Sequence, residues 1–131
     1  VLLLGWAFKK DTNDTRESAA IYVANNLLEK EISIDIFDPK VEEKQINLDL
    51  SKSIIKNLTK NVNILAEPTE NLSTHNIIAI LTEWDEFKNY DWRKIYKKIK
   101  KPAYIFDGRN ILDKEILESI GFIYLGLGRW C

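Results

Sequence analysis

Apolar positions in this chain follow two rhythms that alternate along its length. Val1-Leu2-Leu3-Leu4 is an unbroken apolar run stopped by Gly5, the pattern of a strand buried on both faces. A polar stretch from Lys9 to Arg16 follows, and then Ala20, Val23, Ala24, Leu27 and Leu28 recur at helical spacing. Asp14 and Glu17 stand three apart ahead of that stripe, as a capping box requires, which puts the helix start near Thr15. Ile32 to Phe37 alternates with period two and stops at Asp38-Pro39. Strand, helix and strand in this order make a βαβ unit with parallel strands.

The alternation continues with weaker contrast. Ser51 to Lys60 predicts a weak helix, Val62 to Leu65 a short strand, and Pro68 to Leu72 a helical turn. Ile77 to Thr82 is the most apolar run and is expected at the centre of the sheet. Asp91 to Lys100 predicts a helix with Trp92, Ile95, Tyr96 and Ile99 inward, and Ala103 to Phe106 a strand halted by Asp107-Gly108. Asp113 to Ser119 predicts a last helix with Ile116, Leu117 and Ile120 inward, and Phe122 to Leu125 a last strand. The stretch from Val41 to Leu50 has the least pattern and is expected to be a mobile loop. The α/β class follows: a three-layer αβα sandwich around a Rossmann-like, doubly wound, mostly parallel sheet. Ligands of such sheets sit beyond the carboxyl ends of the strands, so Gly5 to Arg16, Asp38 to Lys40, Thr82 to Asp85 and Asp107 to Asn110 are the segments to inspect.

Composition narrows the partners. With 131 residues there is room for one core, and 19 basic against 20 acidic residues leave a formal charge of -1. Such a balance creates no broad field for nucleic acid or an anionic membrane, so an anion must be held by a local site. No apolar run is long enough to span a bilayer, and no signal-peptide pattern opens the chain. The single cysteine, Cys131, cannot form an internal disulfide, which suits a reducing, cytoplasmic setting. A chain without Met that begins inside a strand is expected to be a piece of a longer one.

The loop from Gly5 to Ser18 lies between a strand and a helix, where backbone N–H groups and the helix dipole favour an anion. Lys9, Lys10 and Arg16 add cations. The same residues also fit a solvated loop whose charges neutralise one another, and from the residues alone both readings stand. The loop is not a dinucleotide fingerprint, because Gly5 stands alone and Trp6 and Phe8 are bulky. Asp38 mimics the acid that holds a ribose, but Pro39 beside it reads as a plain turn. Trp84 is expected to cap the core, and Glu83 and Asp85 have no evident substrate. The lysines from Lys94 to Lys101 read as the solvated face of a helix. His75 follows Ser73-Thr74 without an evident partner, and ligands for a metal are lacking.

The run from Gly5 through Ser18, with its Phe-Lys-Lys-Asp-Thr and Asp-Thr-Arg-Glu-Ser strings, resembles the opening of the C-terminal domain of UDP-glucose dehydrogenases, notably those of animals and plants. Phe37-Asp38-Pro39-Lys40, Thr82-Glu83-Trp84 with Phe87, and Ile105-Phe106-Asp107-Gly108-Arg109 agree in the same order, so the resemblance extends over essentially the whole chain. GDP-mannose and UDP-N-acetylmannosamine dehydrogenases keep the Phe-Lys pair but differ after it, and Lys10-Asp11-Thr12 favours the UDP-glucose type.

The resemblance implies roles for single residues. Phe8 and Lys9 would line the UDP-sugar site, Arg109 would contact the UDP-sugar, and Arg16 would reach towards NAD held by another domain. Three cations on loops leaving neighbouring strands would then meet a diphosphate. It implies no role for Lys10 and Asp11, and an ion pair between them is the simplest account. The family's reaction oxidises a primary alcohol twice through a thioester on a cysteine, consuming two NAD. The motif of that cysteine is absent here, and Cys131 is expected to be a bystander thiol. The chain would thus bind UDP-glucose without catalysing anything alone, working with the remaining domains of a homo-oligomeric parent. A non-catalytic interaction module of the same fold is the competing reading.

Overall fold

The computed structural model describes residues 1–16, 18–51 and 61–126. They form six strands and five helices: β1 (Leu2–Leu4), α1 (Ala19–Glu29), β2 (Ile34–Phe37), α2 (Glu43–Ser51), β3 (Val62–Ile64), β4 (Ile77–Ile80), α3 (Asp85–Lys88), α4 (Trp92–Lys98), β5 (Tyr104–Asp107), α5 (Lys114–Ile120) and β6 (Ile123–Gly126). A 3-10 turn at Leu72–Thr74 precedes β4. The sheet order is β3-β2-β1-β4-β5-β6, and every pairing is parallel. Strand order therefore reverses between β1 and β4, as in a doubly wound nucleotide-binding sheet. All residues of β1 and β2 are buried. Since successive side chains point to opposite faces, both faces of the sheet centre are covered. Helices α1 and α2 pack on each other, as do α4 and α5.

Most of the expected elements are present, trimmed by one or two residues. Three readings need correction. Helix α1 begins at Ala19, not near Thr15: Ser18 is the cap, its hydroxyl accepting from Ala20 N–H, while Asp14 is drawn off by Arg16. The expected mobile loop at 41–50 instead holds α2, whose Ile46 and Leu50 lie one turn apart and are almost wholly buried. In α5, Ile116 is 54% exposed. Its neighbour Leu117 is buried instead: adjacent helical residues point about 100° apart, and the core lies on the Leu117 side. Pro68 to Leu72 is, as expected, a turn, and it runs on into the 3-10 segment. The weak helix expected at Ser51 to Lys60 lies outside the described residues apart from Ser51, which closes α2.

Lysines on α4 face solvent while Trp92, Ile95 and Ile99 are buried, as the periodicity requires. Trp92 and Tyr96 also pack against Phe122, with ring centroids 6.1 and 5.1 Å away. No described helix is long and apolar enough to cross a membrane.

Candidate functional site

Where strand order reverses, the segments leaving β1 and β4 meet at the buried Gly5 and Thr82. Gly5 has φ +102°, and a Cβ there would lie 2.5 Å from Thr82 Cβ and Oγ1. Only glycine fits so close an approach. Thr82 closes the contact by donating to Ala7 O at 2.7 Å. Trp6, with no exposed surface, points inward, and its indole N–H donates to Asp49 Oδ2 at 2.9 Å. The loop after β1 is thus rooted in the core at its base.

Beyond Ala7 the chain turns outward. Phe8 N–H donates to Asp14 O at 2.7 Å, closing the loop, and the Phe8 ring is 48% exposed. Lys9 is exposed. Asp11 takes φ 63°, the left-handed region that an Asp tolerates. Arg16 grips Asp14 through Nε at 3.0 Å and Nη2 at 2.8 Å, and these bonds hold the Asp14 carboxyl down at about 2. Lys10 does not pair with Asp11. Its ammonium reaches Asp85 at 3.5 Å, an exposed contact of little energetic weight.

Arg109 is positioned by the turn after β5. Asp107 is fully buried: Oδ1 accepts from Arg109 N–H at 3.2 Å, and Oδ2 from Leu112 N–H and the Tyr124 hydroxyl, each at 2.8 Å. Gly108 N–H bonds Ile80 O at 2.9 Å, and Asn110 completes the turn at φ 55°. The Asp-Gly-Arg string is therefore a turn-former followed by its outward-facing cation. The guanidinium bonds Glu83 Oε2 through Nε at 3.0 Å and through Nη2. Glu83 Oε1 accepts from Lys10 N–H at 2.6 Å. Burial alone would raise the Glu83 pKa, but the bonds from Arg109 and Lys10 bring it below the ordinary glutamate value. Contrary to expectation, the two cation-bearing loops do not leave adjacent strands, because β4 stands between β1 and β5. Glu83, just past the end of β4, joins them. Sequence reasoning noted this residue within Thr82-Glu83-Trp84 and gave it no task.

Asp38 shows why the β2 end does not serve a dinucleotide. Its Oδ2 accepts from Trp6 N–H at 2.7 Å, Ala7 N–H at 3.0 Å and Trp84 Nε1 at 3.0 Å. Its Oδ1 accepts from Lys40 N–H at 2.8 Å and Val41 N–H at 3.0 Å. At 8% exposure and with five donors already in place, the carboxylate has nothing left for a ribose hydroxyl. The cleft beside it, of about 540 Å3, has Phe37, Val41 and Ile46 in its walls, with Glu43, Glu67 and Glu86 among the remaining residues. That charge is wrong for a pyrophosphate. With the lone Gly5, these residues do not fit NAD in the usual crevice of the fold. Trp84, 9% exposed and tied to Asp38, closes the core as expected.

His75 has a partner that the sequence did not disclose. It is buried, and Nε2 lies 2.7 Å from Asp35 Oδ2, with Asn63 and Asn71 also donating to Asp35. Burial lowers the His75 pKa against the raising pull of Asp35, so the neutral ring donates from Nε2. No cluster of metal-ligating side chains occurs among the described residues. Cys131 lies outside them.

A six-stranded parallel sheet that reverses order at a crevice, with cations on the turns beside it, defines the class of Rossmann-like nucleotide-binding domains. The sequence matches the UDP-glucose/GDP-mannose dehydrogenase family, UDP binding domain, over residues 2–114, and the chain belongs to that family. It is 46% identical over 133 residues to a UDP-glucose 6-dehydrogenase of Drosophila melanogaster, covering 98% of this chain and 28% of the relative. It is 39% identical to UDP-glucose 6-dehydrogenase 1 of Arabidopsis thaliana, covering 98% and 30%. The chain thus spans less than a third of these relatives' length. Among solved structures, an NDP-N-acetyl-D-galactosaminuronic acid dehydrogenase from Methanosarcina mazei aligns with a TM-score of 0.74 and 26% identity, over 98% of this chain and 24% of that one. A UDP-glucose dehydrogenase from Pyrobaculum islandicum aligns at 0.68 and 25%, over 96% and 24%.

Proposed function

We propose that this chain is the C-terminal, UDP-sugar-binding part of a longer NAD-dependent UDP-glucose 6-dehydrogenase, which converts UDP-glucose to UDP-glucuronate for polysaccharide synthesis. Lys9 and Arg109 hold the nucleotide-sugar, Phe8 shapes its pocket, and Arg16 reaches towards NAD. NAD itself is held mainly by another domain, since the residues at the β1 and β2 ends here do not suit it. The parent is a cytoplasmic homo-oligomer in this reading, and the chain alone reduces no NAD. The observation that carries the proposal is the Glu83 bridge, which ties the turn of Arg109 to the turn of Lys9 and Lys10. Identity to UDP-glucose 6-dehydrogenases over 98% of the chain supports the choice of sugar.

In the full-length enzyme, Lys9→Ala and Arg109→Ala should each raise the Michaelis constant for UDP-glucose. Loss of one charge-assisted hydrogen bond costs about 1.5–3 kcal/mol, or roughly 10- to 100-fold. An unchanged constant in both variants would favour a non-catalytic interaction module and refute the proposal.

A further inference from the structure

Glu83 touches both loops to which the proposed function assigns the nucleotide-sugar. One oxygen takes the Lys10 backbone N–H and the other takes the Arg109 guanidinium. We propose that Glu83 is a positioning residue for the nucleotide diphosphate, presenting Arg109 by its outer edge and pinning the Lys9–Lys10 turn beside it. This inference rests on the reading of Arg109 as a UDP-sugar ligand.

The donor count of arginine supports it. A guanidinium carries five N–H donors in a rigid plane. Glu83 takes the inner edge, formed by Nε and Nη2, and among the described residues nothing engages Nη1. The outer edge, Nη1 with the second Nη2 hydrogen, is the fork that grips two phosphate oxygens at once. Without the carboxylate the side chain would rotate freely, and its ordering would count against binding. The pair is half-buried, with side-chain exposures of 33% for Arg109 and 25% for Glu83, so water screens it less than an open surface pair. The other carboxylate oxygen sets the loop rather than the ligand. The Lys10 N–H it receives belongs to the residue next to Lys9, so Glu83 fixes where the Lys9 side chain begins. Span is essential: an acid one methylene shorter would not reach both loops.

The test is calorimetric titration of UDP into the full-length parent protein and its Glu83→Gln, Arg109→Ala and doubly substituted variants. Glu83→Gln should weaken UDP by about tenfold, and the double variant should bind no more weakly than Arg109→Ala alone, because the amide oxygen can still accept the Lys10 N–H and only the hold on Arg109 is lost. In turnover, the Michaelis constant for UDP-glucose should rise while kcat holds, a split that general loosening of the fold would not give. Glu83→Asp keeps the charge without the span and should also weaken UDP, which keeps the proposal open to test if the amide variant folds poorly. Unchanged or tighter binding in Glu83→Gln, or losses that multiply in the double variant, would overturn this inference alone. Undiminished binding in Arg109→Ala would instead remove the reading on which it rests.

Discussion

Replacing Asp38 by Asn separates a scaffold acid from a ligand acid. The amide keeps the shape but can accept through only one oxygen. Its least damaging orientation leaves the carbonyl facing Trp6, Ala7 and Trp84 and sets an NH2 group against the N–H groups of Lys40 and Val41. Two charge-assisted bonds are lost, each worth about 1.5–3 kcal/mol, and part of this returns because water can reach the half-buried Lys40 N–H. The expected destabilisation is therefore about 2–4 kcal/mol. With a urea m-value of about 1.5 kcal/mol/M, the unfolding midpoint should fall by roughly 1.5–2.5 M at unchanged m. Circular dichroism during urea titration measures this directly. A change below about 0.5 kcal/mol would refute the reasoning, since that is the size expected of an ordinary surface position. A ribose-binding acid predicts the reverse pattern, with stability kept and NAD affinity lost.

Two further outcomes follow from other parts of the molecule. Ile46, 1% exposed on α2, should cost about 2–5 kcal/mol when replaced by Ala if the 43–51 segment is packed as described, whereas a mobile loop would lose almost nothing in the same urea titration. Burial lowers the His75 pKa below 6.5, against the pull of Asp35, so the unfolded chain takes up a proton that the folded chain resists. Stability should be full above that pH and decline as the pH falls through it, levelling off below the folded pKa. Unfolding compared at about pH 8 and about pH 5.5 should show this decline in the native protein and a smaller one in His75→Gln; equal declines would exclude His75 as the source.

The strands could be read from sequence because they are short and mostly apolar, and β1, β2 and β5 are stopped by Gly5, Asp38-Pro39 and Asp107-Gly108. Helix α2 could not, because its inward stripe is only Ile46 and Leu50, and the third buried position is Asp49, whose purpose is the indole of Trp6, 43 residues away. Asp35 failed for a similar reason. In an alternating strand it reads as facing water, but β2 lies between β1 and β3, and its partners come from β3 and the segment leading into β4. The loop cations were legible because their strings are local. Glu83 was not, since its task exists only once β4 has been threaded between β1 and β5. His75 and Glu83 belong to pairings that tertiary structure creates, and no local period announces them.

The fivefold-occupied Asp38 also limits how ligand choice in this domain can be redesigned. Exchanging the acid at that strand end is an obvious first move in dinucleotide binders, but here it would unfasten the turns after β1, β2 and β4 and leave recognition untouched. Room for change lies in side chains free of scaffold duty. Phe8 is one, displayed on a loop whose backbone is closed by Asp14 and rooted through Trp6 and Thr82. A library varied at such a place would sample new pockets on an unaltered frame.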